Sequence, residues 1–204
     1  PPGLAFFIKE EAESNVAPST PGELRVRHRG PEPRRGFFAG YYKDDMANAQ
    51  AWAGGWFHSG DLVRMGTDGC LFFVDRTKNI VRRSGENIAA VEVESALQMH
   101  GDVLASAICA VVDELRGEEV FAFVILRSGA LPSLETAMRL QAHCGELMAY
   151  YKAPAYVAFR TELPQTASQK LARAEIKALA GRAVQAAQAF VLRHLKRRPA
   201  PSEA

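Results

Sequence analysis

A carboxylate beside a glycine is the first feature of this sequence that could do chemistry. Asp61 follows Gly60 in a stretch that begins with the aromatic pair Trp56 and Phe57. A carboxylate that a glycine places at the edge of a strand can accept two hydrogen bonds from neighbouring hydroxyl groups, as acidic residues do with a ribose. The alternative is a turn aspartate that accepts hydrogen bonds from nearby backbone N–H groups, and spacing alone favours that alternative.

Two cationic segments are the other candidates. Residues 75–78 (DRTK) place Arg76 and Lys78 at the end of an apolar run. Lys170 follows the polar residues 165–169 (QTASQ), and a flexible ammonium with three donors suits transient contact with a phosphate or a carboxylate. Taken singly, each of these charges is more often an ordinary surface group.

The first third of the chain is predicted to consist mainly of strands. The alternation of apolar and basic residues at 24–27 (LRVR) predicts a half-buried strand. The apolar runs 62–65 and 70–75 are separated by Gly-Thr-Asp-Gly, which predicts a hairpin. Asp44 can cap a short helix that runs to Trp52.

The remainder alternates between predicted strands and helices. Strands are expected at 80–81, 103–112, 120–126 and 156–159, with a tight turn at 84–87. One helix carries Val93 and Leu97 at helical spacing, and a second begins at Ser133, with its end fixed by Pro154. A third is expected from about Arg173 to Arg197.

The predicted fold class is α+β, in two parts and a tail. Residues 1–76 are expected to form a small β subdomain, and residues 77–190 a compact α+β domain with a mixed or antiparallel sheet and flanking helices. Residues 191–204 are expected to form a basic tail that contains Lys196, Arg197 and Arg198. A solvated charged segment is favoured there over a nucleic-acid contact.

Composition excludes several classes of protein. The 25 basic and 23 acidic residues nearly cancel, giving a net charge of +2, so no overall field indicates nucleic acid as a partner. The cysteines Cys70, Cys109 and Cys144 are widely spaced, which argues against a disulfide framework and against a zinc site. We therefore expect a cytoplasmic protein without a metal site. No apolar run approaches the roughly 20 residues needed to cross a bilayer, so no transmembrane segment is expected.

Several further motifs accompany these residues in a fixed order. They are residues 55–62 (GWFHSGDL), 73–79 (FVDRTKN), 84–88 (SGENI), 92–94 (EVE) and 163–166 (LPQT). In this combination the chain resembles the adenylate-forming superfamily, which includes acyl-CoA synthetases, peptide-synthetase adenylation domains and beetle luciferases. The 84–88 and 92–94 motifs resemble those of CoA ligases, and the resemblance is strongest to crotonobetaine/carnitine-CoA ligases or fatty-acid-CoA ligases.

The resemblance implies how the nucleotide and the acid would be handled. Asp61 would hold both ribose hydroxyls of ATP, with Arg76 assisting. Lys170 matches the mobile lysine of the family, which reaches the α-phosphate and the substrate carboxylate during adenylation. A cation there would neutralise charge where the carboxylate attacks phosphorus.

The resemblance also implies a movement between two half-reactions. Lys78 falls at the hinge about which the smaller domain is expected to rotate after adenylation. That rotation would bring Ser84, Gly85 and Glu86 toward the channel that admits CoA.

Two positions depart from the family pattern. The family usually has glycine immediately before the lysine, where this chain has Gln169, and a side chain disfavours positive φ, so we expect this loop to be held differently. Gln165 replaces a residue that is frequently basic.

Part of the expected site is missing from this sequence. Residues 1–204 contain no glycine-rich phosphate loop, and the chain begins with Pro1 rather than methionine. We interpret the chain as the C-terminal part of a larger enzyme, inactive alone, whose missing N-terminal domain would be its partner. The cofactors implied are ATP, CoA and Mg²⁺, with the ligands of Mg²⁺ lying outside this chain.

Three functions are compatible with these features. The leading interpretation is an acyl-CoA ligase that acts on a small-molecule carboxylic acid. An adenylation domain that loads a carrier protein is the second, although no carrier motif with its modified serine follows. The third is a truncated, non-catalytic interaction module that uses exposed strand edges.

Overall fold

The computed structural model describes residues 4–9 and 20–196. The chain consists of two compact units, Pro1–Lys78 and Asn79–Ala204. The first is built on a four-stranded sheet and the second on a six-stranded sheet.

In its described residues, the first unit is an antiparallel sheet with one short α-helix. Its strands are β1 (Leu4–Lys9), β2 (Gly22–His28), β3 (Phe57–Met65) and β4 (Leu71–Arg76), in that spatial order. Helix α1 (Asp45–Ala51) begins at Asp44, whose Oδ1 accepts a hydrogen bond from Ala47 N at 2.9 Å. The predicted strand at 24–27, the capped helix and the β3–β4 hairpin are therefore confirmed.

The second unit contains six strands and three helices among the residues that the structure describes. The strands are β5 (Ile80–Arg83), β6 (Glu86–Ala89), β7 (Val103–Asp113), β8 (Gly117–Leu126), β9 (Tyr156–Phe159) and β10 (Phe190–Val191). The helices are α2 (Ala90–Gln98), α3 (Leu134–Leu147) and α4 (Arg173–Gln185).

The sheet of the second unit is mixed and covered on both faces. Strand β8 pairs antiparallel with β7 and parallel with β9, and β5 joins β8 through Arg83 and Gly117. Val120 and Val124 of β8 pack in one cluster with α2 and α3, whereas Phe121 and Phe123 pack in another with α4. Because successive side chains of a strand point to opposite faces, a sheet buried on both sides gives the continuous apolar runs seen in the sequence. The predicted α+β class is confirmed.

The last helix is shorter than the sequence predicted. Helix α4 ends at Gln185, not near Arg197, because Ala187 adopts a positive φ of 52° and Gln188 N donates to Ala183 O at 2.9 Å. This is the hydrogen-bond pattern of a Schellman motif, which ends a helix. The chain then forms β10, which pairs antiparallel with β9.

The basic residues near the C-terminus are also not uniformly solvated. Arg193–Leu195 forms a single 3₁₀ turn, and the Lys196 side chain is 0% exposed, with Nζ 2.7 Å from Glu119 Oε2. The expectation of a solvated segment was therefore wrong at Lys196. Residues 197–204 of the predicted tail lie outside the described residues. Pro154 does not end α3, which stops at Leu147.

Candidate functional site

A kink in β3 sets the position of Asp61. Gly60 has a φ of 70°, a left-handed conformation that a residue with a side chain rarely adopts. Ser59 Oγ donates to Leu24 O at 2.6 Å and accepts from Asp61 N at 3.0 Å. The glycine and the serine together fix the backbone on both sides of the kink, and Asp61 follows directly.

Asp61 and Arg76 are cross-strand partners in β3 and β4. Arg76 Nη1 lies 2.9 Å from Asp61 Oδ1 and donates to Ser59 O at 3.2 Å. Asp61 Oδ1 is shielded from solvent but accepts no aligned hydrogen bond from the residues that the structure describes. The pair therefore places a partly exposed carboxylate beside a half-exposed guanidinium, an arrangement that can bind a ligand with hydroxyl groups.

An open groove of about 630 Å³ lies in this unit, with Ser59, Gly60, Arg76 and Thr77 in its wall. Thr77 Oγ1 is a second buried oxygen without a hydrogen-bond partner among the described residues. His58 is fixed at the groove by Glu23, whose Oε2 lies 3.0 Å from its Nδ1. The groove is lined by both donors and acceptors, so it can take a polar ligand.

The predicted turn after Arg83 is a two-residue hairpin loop. Ser84 and Gly85 have φ values of 50° and 86°, which suits the tight turn between two antiparallel strands. Ser84 N donates to Arg116 O at 2.9 Å, whereas the side chains at 84–86 are exposed. Glu86 is the first residue of β6 rather than part of the turn.

Glu86 interacts with Tyr151. Burial raises the pKa of Tyr151 above its ordinary value, and the charge of Glu86 and a hydrogen bond to it add to the increase.

The loop that carries Lys170 is closed by its own backbone. Thr166 N donates to Lys170 O at 2.7 Å, Gln169 N donates to Thr166 O at 2.9 Å, and Lys170 N donates to Thr166 Oγ1 at 3.3 Å. The Lys170 side chain is exposed, and its ammonium forms no ion pair with any residue in the described part of the chain. The loop thus holds the lysine backbone while leaving the charge available.

Gln169 adopts the conformation that a glycine would favour. Its φ is 61°, in the left-handed region, although the sequence led us to expect that a side chain there would alter the loop. The hydrogen bond from its N–H group to Thr166 O holds it in place. The substitution therefore adds local strain without preventing the turn.

The predicted site residues lie at four places. Asp61 and Arg76 are in contact in the first unit, and Lys78 lies in the 3₁₀ turn Thr77–Asn79 that follows β4. In the second unit, Ser84 precedes β6, whereas Lys170 lies in a loop after β9, and strands β8 and β5 lie between β9 and β6 in the sheet order.

Sequence reasoning assigned no role to two buried carboxylates in the second unit, Glu94 and Glu119. Glu94 lies in the 92–94 motif, which was noted only for its resemblance to CoA ligases, whereas the signal for Glu119 was a charged residue beside an apolar run.

The described residues contain neither a candidate metal site nor a candidate membrane-spanning helix, and their cysteines form no disulfide. They contain no group of three or more His, Cys, Asp or Glu side chains that could hold a metal ion. No described helix is long and apolar enough to cross a membrane. The three cysteines are free, and burial raises the pKa of both Cys109 and Cys144 to about 12.

Comparison with known proteins identifies the second unit. Residues 92–170 match the AMP-binding enzyme C-terminal domain, from α2 to the lysine at the end of the 163–170 loop. Residues 92–170 belong to this domain family. Lys170 is the last residue of the match, and the Asp61–Arg76 pair precedes it.

Two relatives of the chain are CoA ligases. The chain is 41% identical over 164 residues to 2-succinylbenzoate–CoA ligase of Geobacillus kaustophilus, a match covering 80% of this chain and 32% of the relative. It is 32% identical over 179 residues to crotonobetaine/carnitine–CoA ligase of Proteus mirabilis, covering 86% of this chain and 33% of the relative. The resemblance to CoA ligases is confirmed, and the chain spans about a third of their length.

A solved structure shows the same fold. The o-succinylbenzoate CoA synthetase of Bacillus subtilis, in complex with its acyl-adenylate intermediate, matches with a TM-score of 0.71 and 28% identity. The match covers 86% of this chain and 34% of that chain.

Proposed function

We propose that this chain is part of an ATP-dependent acyl-CoA ligase, which converts a carboxylic acid, ATP and CoA into acyl-CoA, AMP and diphosphate. The observation that carries the proposal is the exposed ammonium of Lys170 on a loop closed at Thr166, at the end of an AMP-binding enzyme C-terminal domain. The CoA-ligase relatives support this reaction class.

In the proposed first half-reaction, an oxygen of the substrate carboxylate attacks the α-phosphorus of ATP and diphosphate leaves. Lys170 contacts the α-phosphate and the carboxylate, offsetting the negative charge that the two bring together. Asp61 accepts hydrogen bonds from the ribose hydroxyls, and Arg76, whose Nη1 lies 2.9 Å from Asp61 Oδ1, assists. Mg²⁺ would enter with the phosphates, and we assign it no ligand in this chain.

In the proposed second half-reaction, the thiol of CoA attacks the acyl carbon of the acyl-adenylate and AMP leaves. Ser84, Gly85 and Glu86 lie at the channel through which CoA approaches. Lys78 is the hinge between the two arrangements. The chain alone has no phosphate loop, so we propose that it does not catalyse either half-reaction by itself.

Lys170→Ala in the complete enzyme tests the proposal. Loss of a cation aimed at the reacting groups should lower acyl-adenylate formation by about a hundred- to a thousandfold. Thioester formation from supplied acyl-adenylate should remain within about threefold of the parental rate, because Lys170 acts in the first half-reaction only. Isotope exchange between ATP and diphosphate measures the first half-reaction, and acyl-CoA chromatography measures the second.

The control is Lys43→Ala, which removes another exposed lysine and should leave both half-reactions unchanged. Equal loss of both half-reactions in Lys170→Ala would contradict the assigned role. Acyl-adenylate formation without any transfer to CoA in the parental enzyme would favour the loading of a carrier protein. A complete protein with no isotope exchange for any acid would favour the non-catalytic interaction module.

A further inference from the structure

Glu94 and Glu119 are buried in the second unit, where an unpaired carboxylate would be strongly unfavourable. Each is instead held by cations. Glu94 lies on α2 and Glu119 on β8, and the contacts of the two carboxylates involve different partners.

Glu94 forms a bidentate ion pair with Arg173. Arg173 Nη1 lies 2.5 Å from Glu94 Oε1 and Nη2 lies 2.9 Å from Oε2. Ile108 N also donates to Oε1 at 2.8 Å, and Ile108 O accepts from Arg173 Nη1 at 3.1 Å. The planar guanidinium is therefore fixed in both position and orientation.

Arg173 directly follows the residue that closes the loop carrying Lys170. It is the first residue of α4, and Ala172 N donates to Pro164 O at 2.9 Å, across the base of the loop. Because Lys170 and Arg173 are three residues apart, the position of the arginine limits where the backbone of the lysine can lie. The buried Glu94 thus anchors the exposed Lys170.

Glu119 likewise holds an arginine that lies next to the Ser84–Gly85 turn. Its Oε1 accepts from Arg83 Nε at 2.6 Å, and its Oε2 accepts from Lys196 Nζ at 2.7 Å. Arg83 immediately precedes Ser84, whose N–H group donates to Arg116 O at 2.9 Å. Fixing the Arg83 side chain therefore fixes the strand that leads into the turn.

We infer that Glu94 and Glu119 are positioning residues that serve different half-reactions: Glu94, through Arg173, holds the Lys170 loop, and Glu119, through Arg83, holds the Ser84–Gly85 turn. The inference rests on the proposed function. It assigns one buried carboxylate to the segment used in adenylation and the other to the segment used in transfer to CoA.

Glu94→Gln and Glu119→Gln in the complete enzyme test this division. Displacement of a reacting group by about 1 Å can lower a rate by about a hundredfold. Glu94→Gln should therefore lower acyl-adenylate formation by about ten- to a hundredfold and keep transfer from supplied acyl-adenylate to CoA within about threefold. Glu119→Gln should show the reverse pattern. Asp102→Asn, which removes the charge of a more exposed ion pair with Arg139, should change neither half-reaction.

A purely structural role for these carboxylates predicts that both half-reactions fall by a similar factor in each variant, and that outcome would overturn the inference. Arg173→Lys and Arg83→Lys keep the cation but lose the fork geometry, so they should reproduce the two patterns if a glutamine variant does not fold.

Hydrogen exchange of the 204-residue chain, followed by NMR, gives a readout that does not require activity. Glu94→Gln should speed exchange of the Gln169 and Lys170 amides and leave Ser84 unchanged, whereas Glu119→Gln should speed exchange at Ser84 alone. If the parental enzyme forms no acyl-adenylate, the proposed function fails, and this exchange pattern still decides whether each carboxylate holds its segment. Unchanged or uniformly faster exchange would overturn the inference.

Discussion

The residue before the candidate catalytic lysine adopts a strained backbone conformation. Gln169 has a φ of 61°, and the left-handed region costs a residue with a side chain about 1 kcal/mol. The hydrogen bonds that join Gln169 and Lys170 to Thr166 maintain this conformation. The strain therefore lies next to the group that would do the chemistry.

Gln169→Gly should relieve this strain and raise the free energy of unfolding by up to about 1 kcal/mol, after allowance for the greater freedom of glycine in the unfolded chain. Urea unfolding of the 204-residue chain measures it. The matched control is Ala167→Gly, since Ala167 is not among the residues with positive φ and should lose stability. Equal loss in the two variants would show that Gln169 is not strained.

Local sequence signals predicted some site residues, whereas others depend on pairing between residues that are far apart in the sequence. Gly60 and Gly85 mark a kink and a turn in the sequence itself, because each occupies a positive φ that few other residues adopt. The pairing of Glu94 with Arg173 joins residues 79 positions apart. No periodicity within one helix can specify such a partner, so only the assembled fold identifies it.

At the scale of elements, most strands and helix starts followed from local pattern. Ser133 was predicted as the N-cap of α3, and its Oγ accepts from Thr136 N at 3.1 Å. The end of α4 could not be predicted in this way, because Ala187 supplies the left-handed residue without the usual glycine. Burial of Leu192 and pairing of β10 with β9 draw the chain back onto the sheet.

This returning segment ends at a lysine whose ionisation should affect stability. Burial lowers the pKa of Lys196 from 10.5 to about 8, even though Glu119 favours its charged form. Between these values the unfolded chain binds more protons at Lys196 than the folded chain does. The contribution of Lys196 to the free energy of unfolding should therefore increase as the pH rises through that window.

Comparison with Lys196→Met isolates this effect. Between about pH 8 and about pH 9.5, the stability of the parental chain relative to the variant should rise by about 1 kcal/mol per pH unit. Urea unfolding at several pH values measures the difference. Ionisation of the buried Cys109 and Cys144 contributes equally in the two proteins, because both contain these thiols, and therefore does not affect the difference. A constant difference would mean that Lys196 titrates like an exposed lysine.

At the scale of the whole molecule, the chain divides into two compact units. The first unit ends at Lys78, within the 3₁₀ turn Thr77–Asn79 that separates β4 from β5. In the proposed mechanism, the residues that contact the ribose of ATP precede this turn, and Ser84 and Lys170 follow it. A change of backbone conformation here would therefore move one set of groups relative to the other.

Lys78→Pro in the complete enzyme tests whether Lys78 is the hinge. Proline fixes φ near about −65° and removes a backbone donor, so it should restrict the movement. We expect the adenylating arrangement to persist, because Lys170 gains contacts with ATP there. Acyl-adenylate formation should survive within about tenfold, while transfer to CoA should fall by about a hundredfold or more, each tenfold loss being about 1.4 kcal/mol of barrier.

Lys78→Ala is the matched control, since it removes the ammonium but leaves the backbone free to rotate, and it should support both half-reactions. Circular dichroism and the retained first half-reaction would establish that the proline variant is folded. If Lys78→Pro makes acyl-CoA at the parental rate, the hinge is not at Lys78. If both variants lose transfer to CoA equally, the side chain rather than the backbone is responsible, because only the proline restricts φ.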